Sequence, residues 1–286
     1  MRPFPSMNCP AKINLGLWLH GKRPDGFHEL TTLFQDIPLH DTLEVASAPE
    51  PGVFTCTTFP APANLAYKAW KLLEEVMGRS LPCSITLTKK IPDKAGLGGG
   101  SSDATAVLVS LDRLFGLQLG QDRLEELAAR LGSDTSFFVR GGCQLGRGRG
   151  ERLTPLPSSY KGLILLGVPE FGCETREVFS RVGEKLTPSP PPVNMIVEAL
   201  ESRDTARLEA FMSNDLLEPA LGAAPELRPF MQEMEGLAGS RAHLSGSGSS
   251  VFCLPRQVPR RPSSFKGRLL TLLDAEAGRM VWELRA

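Results

Sequence analysis

The glycine-rich segment 92–104 carries the clearest chemical signal in the sequence. Four glycines fall within the five residues 96–100, so the backbone there can adopt positive φ and approach a ligand closely. A strand-like run precedes the segment and a helix-like run follows it. The first amides of a helix have no acceptor within the helix and attract anions. We therefore predict that this segment binds the phosphates of a nucleotide.

Better-known phosphate-binding motifs do not fit the segment. A P-loop requires a lysine that the segment lacks, and the Rossmann pattern G-x-G-x-x-G, begun by Gly96 and Gly98, meets Ser101 at its third glycine. The chain also lacks the H-R-D and D-F-G set of protein kinases. A flexible glycine hinge is the alternative interpretation. The paired serines at the start of the helix argue against it.

Three further segments carry polar groups that could complete a phosphate-transfer site. Lys12 and Asn14 lie in a predicted strand, where side chains two residues apart share a face. Residues 244–251 form a second Gly/Ser-rich turn before an apolar strand, and Asp134 stands between a helix end and an aromatic, strand-like segment. Taken singly, each also fits an ordinary structural role: an edge lysine, a loop and a helix-terminal turn residue.

Alternating strand-like and helix-like segments must position these groups. Strands are predicted over 13–19, 31–37, 42–45, 84–88, 163–168, 251–254 and 280–284, with a turn at His40-Asp41. Helices are predicted over 65–77, 102–114, 123–131, 196–200, 208–212, 227–234 and 269–276, with Asn64 and Asp122 as N-caps and Gly132 as a stop. This mixture, without strict β-α-β order, predicts an α+β fold with antiparallel sheet content. We place a domain boundary near Gly150, between residues 1–150 and 151–286.

Charge and composition exclude several classes of function. The 286 residues include 32 basic and 32 acidic side chains, and no surplus of positive charge indicates a nucleic-acid-binding protein. The densest basic stretch, 147–152, is interpreted as a solvated turn, with a phosphate contact as the alternative. The N-terminus lacks the apolar run of a signal peptide, and no stretch is long enough to span a membrane. Six dispersed cysteines without a C-x-x-C pair indicate reduced thiols, so we expect a soluble cytoplasmic protein.

Together these segments resemble the GHMP kinases, named for galactokinase, homoserine, mevalonate and phosphomevalonate kinases. Segment 92–104 is similar to their P-x-x-x-G-L-G-S-S loop, with extra glycines, and residues 245–251 are similar to their C-terminal glycine motif. A narrower resemblance, to members that phosphorylate a cytidine diphosphate-linked alcohol, rests on Lys12-x-Asn14 together with Asp25-Gly26-Phe27-His28. It extends from about Pro10 to Leu254.

The resemblance implies a two-lobed α+β fold with mixed and antiparallel sheets and an active site between the lobes. It implies transfer of the γ-phosphate of ATP, with Mg²⁺, to the 2-hydroxyl group of that alcohol, in the non-mevalonate pathway to isoprenoid precursors. The catalytic residues it implies are Lys12 and Asp134. The ATP-binding residues it implies are Asn64, Pro92, Gly96, Leu97, Gly98, Gly99, Gly100, Ser101 and Ser102, the last also as a ligand on the metal side. The substrate-binding residues it implies are Asn14, Phe27, His28, Thr175, Phe179, Gly246 and Ser247.

One departure from the family bears on the acceptor. Phe27 stands where tyrosine is common, so the stacking surface remains but the hydroxyl group is lost. We expect small-molecule substrates, no nucleic-acid or membrane partner, and a monomer or weak homodimer. Two alternatives stay open: a GHMP kinase with a mevalonate-type or homoserine-type acceptor, and a binding or regulatory protein that uses the fold without turnover. The presence of both Lys12 and Asp134 argues against the second alternative.

Overall fold

The computed structural model describes residues 5–183 and 189–285. The strands in these ranges are β1 (Met7–Lys22), β2 (His28–Ser47), β3 (Val53–Cys56), β4 (Cys83–Thr88), β5 (Cys143–Gly148), β6 (Arg152–Pro155), β7 (Leu163–Val168), β8 (Ala242–Leu244), β9 (Val251–Cys253), β10 (Leu269–Asp274) and β11 (Arg279–Arg285). The helices are α1 (Leu65–Met77), α2 (Gly99–Phe115), α3 (Gly120–Ala129), α4 (Phe137–Arg140), α5 (Thr175–Ser180), α6 (Val193–Glu201), α7 (Thr205–Phe211), α8 (Leu217–Ala223) and α9 (Leu227–Ala238).

Cα packing divides the chain into two compact units that are each discontinuous in sequence. Unit 1 consists of the residues up to Ala11 with 40–91 and 98–141, and unit 2 consists of 12–39, 92–97 and 142–286. The long strands β1 and β2 contribute to both units. The predicted division at Gly150 differs from these units in being contiguous, and it stays a prediction.

In unit 1, β-strands and helices share one apolar core. The last part of β2 pairs antiparallel with β4, and β4 pairs parallel with β3. Helices α1 and α2 contribute buried side chains that include Trp70, Leu73, Val107 and Leu111. The predicted helix 65–77 is confirmed, with the Asn64 side chain accepting from an N–H group of the first turn.

In unit 2, a five-stranded antiparallel sheet has the order β11-β10-β7-β9-β8. Its core joins residues of β7, β9 and β10 to Phe230 and Met234 of α9. The first part of β2 pairs antiparallel with β5, which pairs with β6. β1 pairs with β2. Because strands and helices are mixed and most of the strand pairs are antiparallel, the α+β class is confirmed.

Several predicted elements were wrong. Residues 269–276 do not form a helix: Leu269–Asp274 is a strand hydrogen-bonded on both sides, and its first five side chains are fully buried. The predicted turn at His40-Asp41 is absent because β2 continues through it. Asp122 lies in the first turn of α3 and is not its N-cap. The strand-like segment after Asp134 is the short helix α4.

Two features concern the chain as a whole. No helix in residues 5–183 and 189–285 combines the length and the hydropathy needed to cross a membrane. All six cysteines lie in the described ranges as free thiols, and all except Cys56 are buried. Burial raises the pKa of the buried thiols.

Candidate active site

Lys12 and Asn14 form a buried polar pair on β1 in unit 2. Lys12 Nζ donates to Asn14 Oδ1 at 2.7 Å, and the Asn14 amide donates to Thr32 Oγ1 at 2.7 Å. Thr32 Oγ1 in turn donates to the Gly16 carbonyl at 2.8 Å. A buried ammonium group needs such partners because burial costs it the solvation of water. The prediction that both side chains lie on one face is confirmed, and the network fixes their orientation.

The first half of the glycine loop, residues 92–97, lies beside this pair. The Lys12 N–H donates to the Leu97 carbonyl at 2.9 Å, and Ser245 Oγ donates to the Gly96 carbonyl at 3.3 Å. Gly96 has φ +72°, and a Cβ there would lie 2.5 Å from the Ser245 carbonyl oxygen. Only glycine fits this position. Three segments that are far apart in the sequence are thus brought together around the Lys12 backbone.

The Gly/Ser-rich turn between β8 and β9 is the third of these segments. Asn214 donates to two of the backbone carbonyls there, at 2.8 and 2.9 Å. A Cβ on Gly246 would lie 3.3 Å from Asn14 Oδ1, so the backbone of this turn adjoins the polar pair. The Ser247 hydroxyl is 2.9 Å from the hydroxyl of Thr175 on α5. Four predicted site residues are therefore joined by contacts in this part of unit 2.

A cavity of about 720 Å³ opens next to the turn. It is lined by Lys94, Gly96, Cys173, Glu174, Thr175, Arg176, Glu177, Ser180 and Gly248. Its volume suits a ligand of nucleotide size. Lys94, which is exposed, forms an ion pair with Glu174 at 3.0 Å instead of pointing at a buried site.

Three of the predicted acceptor residues, Phe27, His28 and Phe179, lie around the start of β2. The His28 and Phe179 rings are 5.4 Å apart and tilted by 35°. Burial, with the charge of Lys22, lowers the pKa of His28 and so favours the neutral imidazole. A neutral imidazole has one donor and one acceptor nitrogen. The Phe27 side chain is 52% exposed and presents an aromatic surface to solvent.

In unit 1, the second half of the loop opens helix α2. Gly98 occupies the N-cap position with φ +70°, and the Ser102 N–H donates to its carbonyl at 2.9 Å. Helical geometry therefore leaves the amides of residues 99–101 without acceptors in the helix. The Ser102 hydroxyl is buried and has no hydrogen-bond partner among the described residues. A buried, unpaired hydroxyl at the positive end of a helix fits an anionic ligand or its cation.

A buried charge network in unit 1 was missed by the sequence analysis. Lys89 Nζ forms ion pairs with Asp103 of α2, at 2.5 Å, and with Asp41 of β2. The Asp41 carboxylate also accepts the Ile91 N–H at 2.8 Å. A Cβ on Gly99 would lie 3.3 Å from Lys89 Nζ, so the network directly supports the opening of the helix. It ties the segment that precedes the glycine loop to the helix that follows it.

The charges of this network shift its pKa values. Burial raises the pKa of Asp103 to about 7, and the negative charge of Asp41 acts in the same direction, against Lys89. Although burial opposes it, the two carboxylates raise the pKa of Lys89. A charged residue among the apolar positions of α2 was the signal that could have revealed the network. Its partners, distant in sequence, could not be read from the chain.

Asp134 lies in the turn between α3 and α4. Thr105 Oγ1 of α2 donates to the Thr135 carbonyl at 2.7 Å, and Ser136 Oγ donates to the Glu125 carbonyl of α3 at 3.0 Å. The turn is therefore held by both helices, next to the carboxylate that it carries. Within unit 1, the backbone next to Asp134 is held against the helix that the glycine loop opens.

Asn64 is used by its own helix. Its Oδ1 accepts the Ala66 N–H at 2.9 Å, and its Nδ2 donates to the Phe59 carbonyl at 3.2 Å. These bonds explain why asparagine stands at this N-cap. The predicted contact of Asn64 with the nucleotide stays a prediction.

Comparison with known proteins identifies the relatives of this chain. Residues 64–142 match the family described as GHMP kinases N terminal domain. The chain is 40% identical over 282 residues to the 4-diphosphocytidyl-2-C-methyl-D-erythritol kinase of Bacillus pumilus, covering 97% of each chain. It is 38% identical over 257 residues to the enzyme of the same name from Carboxydothermus hydrogenoformans, covering 88% of each.

A solved structure agrees as well. The crystal structure of a 4-(cytidine 5'-diphospho)-2C-methyl-D-erythritol kinase superposes with a TM-score of 0.76 at 38% identity, covering 88% of this chain and 90% of that one. Identity at this level over nearly the whole length extends the likeness beyond the fold. The chain therefore belongs to the 4-diphosphocytidyl-2-C-methyl-D-erythritol kinase family of GHMP kinases.

Proposed function

We propose that the protein transfers the γ-phosphate of ATP to the 2-hydroxyl group of 4-diphosphocytidyl-2-C-methyl-D-erythritol. The reaction is a step of the non-mevalonate pathway to isoprenoid precursors, and we place it in the cytoplasm, in a monomer or weak homodimer. The opening of α2 carries the proposal: unpaired amides at residues 99–101 and a buried, unpartnered Ser102 hydroxyl form an anion site in a chain of this family.

The glycine loop and α2 would bind the phosphates of ATP. Backbone amides and the helix dipole favour the negative charge of a phosphate chain. Glycines leave no Cβ between the backbone and these oxygens. The Lys89 network supports this surface because it holds the helix start to the preceding segment. Asn64 would lie near the nucleoside.

Mg²⁺ fits the residues present. The described residues contain no group of three or more His, Cys, Asp and Glu side chains arranged for a metal. Mg²⁺ commonly uses one or two protein oxygens together with substrate phosphates and water. The unpartnered Ser102 hydroxyl is an oxygen of that kind. When bound, Mg²⁺ neutralises charge on the phosphates.

Lys12 and Asp134 would act on the reacting groups. We assign Asp134 the role of accepting the proton of the attacking hydroxyl, or of orienting its oxygen. The Lys12 ammonium would stabilise negative charge on the transferred phosphoryl group. Its bond to Asn14 at 2.7 Å fixes the direction of the ammonium group before substrate arrives. Such positioning is the main contribution of a protein to phosphoryl transfer.

The acceptor would bind through its cytosine base. The exposed Phe27 ring offers a stacking surface, and the neutral His28 imidazole can hydrogen-bond to the edge of the base. Phe179 lies against His28, and Thr175 is joined to Ser247 by a hydrogen bond. We assign these residues, with Asn14 and Gly246, to the acceptor side of the site.

The assay measures ADP release and product mass after incubation with ATP, Mg²⁺ and 4-diphosphocytidyl-2-C-methyl-D-erythritol. Mevalonate and homoserine serve as parallel acceptors. We expect ADP only with the cytidine-linked alcohol, and one added phosphate in the product. Turnover of mevalonate or homoserine alone would assign the protein to another acceptor, and ATP binding without any turnover would indicate a regulatory role.

A further inference from the structure

Arg149 lies over the ring that we assign to the acceptor base. It belongs to the turn between β5 and β6, and its guanidinium carbon is 4.8 Å from the centroid of the Phe27 ring. At this distance a guanidinium and an aromatic face attract each other. The basic stretch 147–152 was predicted to be a solvated turn, with a phosphate contact as the alternative. In the structure, one arginine of this stretch lies over Phe27, a candidate substrate-binding residue.

The turn is shaped to hold Arg149 in this place. The Arg149 backbone N–H donates to the Glu151 carboxylate at 2.6 Å. Gly148 has φ +79°, and a Cβ there would lie 2.8 Å from the same carboxylate, so a larger residue would disrupt the turn. Glu151 thus interacts with the backbone of Arg149. No hydrogen bond or ion pair of the guanidinium is found within residues 5–183 and 189–285.

Other arginines nearby are paired with carboxylates. Arg23 bonds to Asp25 at 3.1 Å and to Glu29 at 2.7 Å, and Arg152 bonds to Glu29 at 2.6 Å. Although desolvation opposes it, the Phe27 N–H and Arg23, aided by the charge of Arg149, hold the pKa of the Asp25 carboxyl below its usual range. Arg149 therefore adds positive charge at the Phe27 ring without forming an ion pair within the described residues.

We propose that Arg149 binds the diphosphate of the acceptor while Phe27 stacks on its base. The inference rests on the proposed function, because it names a residue for the same substrate. Guanidinium presents a planar fork of donors that matches phosphate oxygens in pairs and also tolerates an aromatic face. In a cytidine diphosphate the phosphates are joined to the base through the ribose. A base on the Phe27 ring therefore brings its diphosphate toward this turn.

The test compares the binding of three ligands by titration calorimetry. CDP, cytidine and ADP are titrated into the wild-type protein and into the Arg149→Gln variant. We expect Arg149→Gln to weaken the binding of CDP by about 10-fold to 100-fold, since hydrogen bonds to charged groups contribute about 1.5–3 kcal/mol. Cytidine and ADP should change by less than about twofold. Arg149→Lys keeps the positive charge but not the planar fork of donors, so its affinity for CDP should lie between those of the wild type and of Arg149→Gln.

Matched controls separate this role from a structural one. Arg147→Gln removes an exposed arginine of β5 from the same stretch and should leave all three affinities unchanged. The unfolding temperature of each variant checks that the fold is intact.

Three results would refute the inference. An equal loss of affinity for cytidine and for CDP would mean that Arg149 only supports the Phe27 ring. If Arg149→Gln weakened the binding of ADP and not that of CDP, Arg149 would belong to the ATP site. An unchanged affinity for CDP would mean that Arg149 does not bind the diphosphate. A wild-type protein that binds neither CDP nor cytidine would instead refute the proposed acceptor itself.

Discussion

The substitution Asp103→Asn tests the buried charge network in unit 1. Lys89 is shared by two buried carboxylates, so the network carries one excess negative charge when both are ionised. Asparagine has the shape of a protonated aspartic acid and keeps an acceptor oxygen for Lys89. The variant therefore leaves Lys89 and Asp41 as a matched pair. We expect it to be more stable than the wild type above pH 7.

The magnitude follows from the pKa of Asp103. Its value is about 7 in the folded protein against 3.8 for an ordinary aspartic acid, which corresponds to about 4 kcal/mol at 1.36 kcal/mol per pKa unit. Because the raised pKa belongs to the folded state, the protonated Asp103 of the wild type stabilises the fold by this amount. The contribution is fully present below pH 3.8 and is lost as the pH rises to about 7. The advantage of the variant should grow by about 1.4 kcal/mol per pH unit between pH 5 and 7, then stay constant.

Urea unfolding of the nucleotide-free protein at pH 5, 6, 7 and 8 measures this advantage. Circular dichroism and tryptophan fluorescence should give coincident transitions, which would justify a single free energy of unfolding. Asp122→Asn is the control, because it removes one carboxylate whose side chain is 93% exposed. An Asp103→Asn variant that is less stable than the wild type at pH 8 would show that the fold does not raise the pKa of Asp103. A difference that does not vary with pH would refute the linkage argument.

Three further substitutions test the assigned roles. Asp134→Asn should lower kcat by about 100-fold to 1000-fold, as loss of a transition-state contact does; a folded variant that keeps most of its turnover would contradict the role. Ser102→Ala should raise the Mg²⁺ concentration for half-maximal activity about tenfold without lowering the free energy of unfolding, since the hydroxyl has no hydrogen-bond partner among the described residues. An unchanged Mg²⁺ requirement would argue against this ligand. Phe27→Ala should raise the KM of the acceptor about tenfold or more, as loss of base stacking does, and leave the KM of ATP unchanged. A parallel rise in both constants would indicate a general disturbance of the fold.

Local patterns predicted most elements that position the site. The helix 65–77 has an N-cap and an apolar face, so its pattern and its structure agree. Lys12 and Asn14 share a face because strand side chains alternate. The helix predicted over 269–276 was wrong because Leu269–Asp274 is a strand in the middle of a sheet and is buried on both faces. Its leucine-rich run then has no alternation and resembles a buried helix.

Long-range partners could not be predicted in the same way. Asp41 is polar and follows His40, so the pair indicated a turn. In the fold its carboxylate is fully buried because Lys89 and the backbone at Ile91 supply its hydrogen bonds. Arg149 was assigned to solvent because its contact with Phe27 joins residues that are far apart in sequence. A polar side chain whose partners lie far away in the sequence cannot be recognised from the sequence as a buried or paired residue.

The buried thiols give each unit its own chemical reporter. Cys9 and Cys83 lie in the core of unit 1, whereas Cys173 and Cys253 lie in the core of unit 2. A thiol with a raised pKa inside a packed core reacts with an alkylating reagent only when that core opens. The half-buried Cys56 would react first and can be blocked beforehand. Mass spectrometry of slow alkylation at the other sites would then time the opening of each core separately, with no mutation and no attached probe.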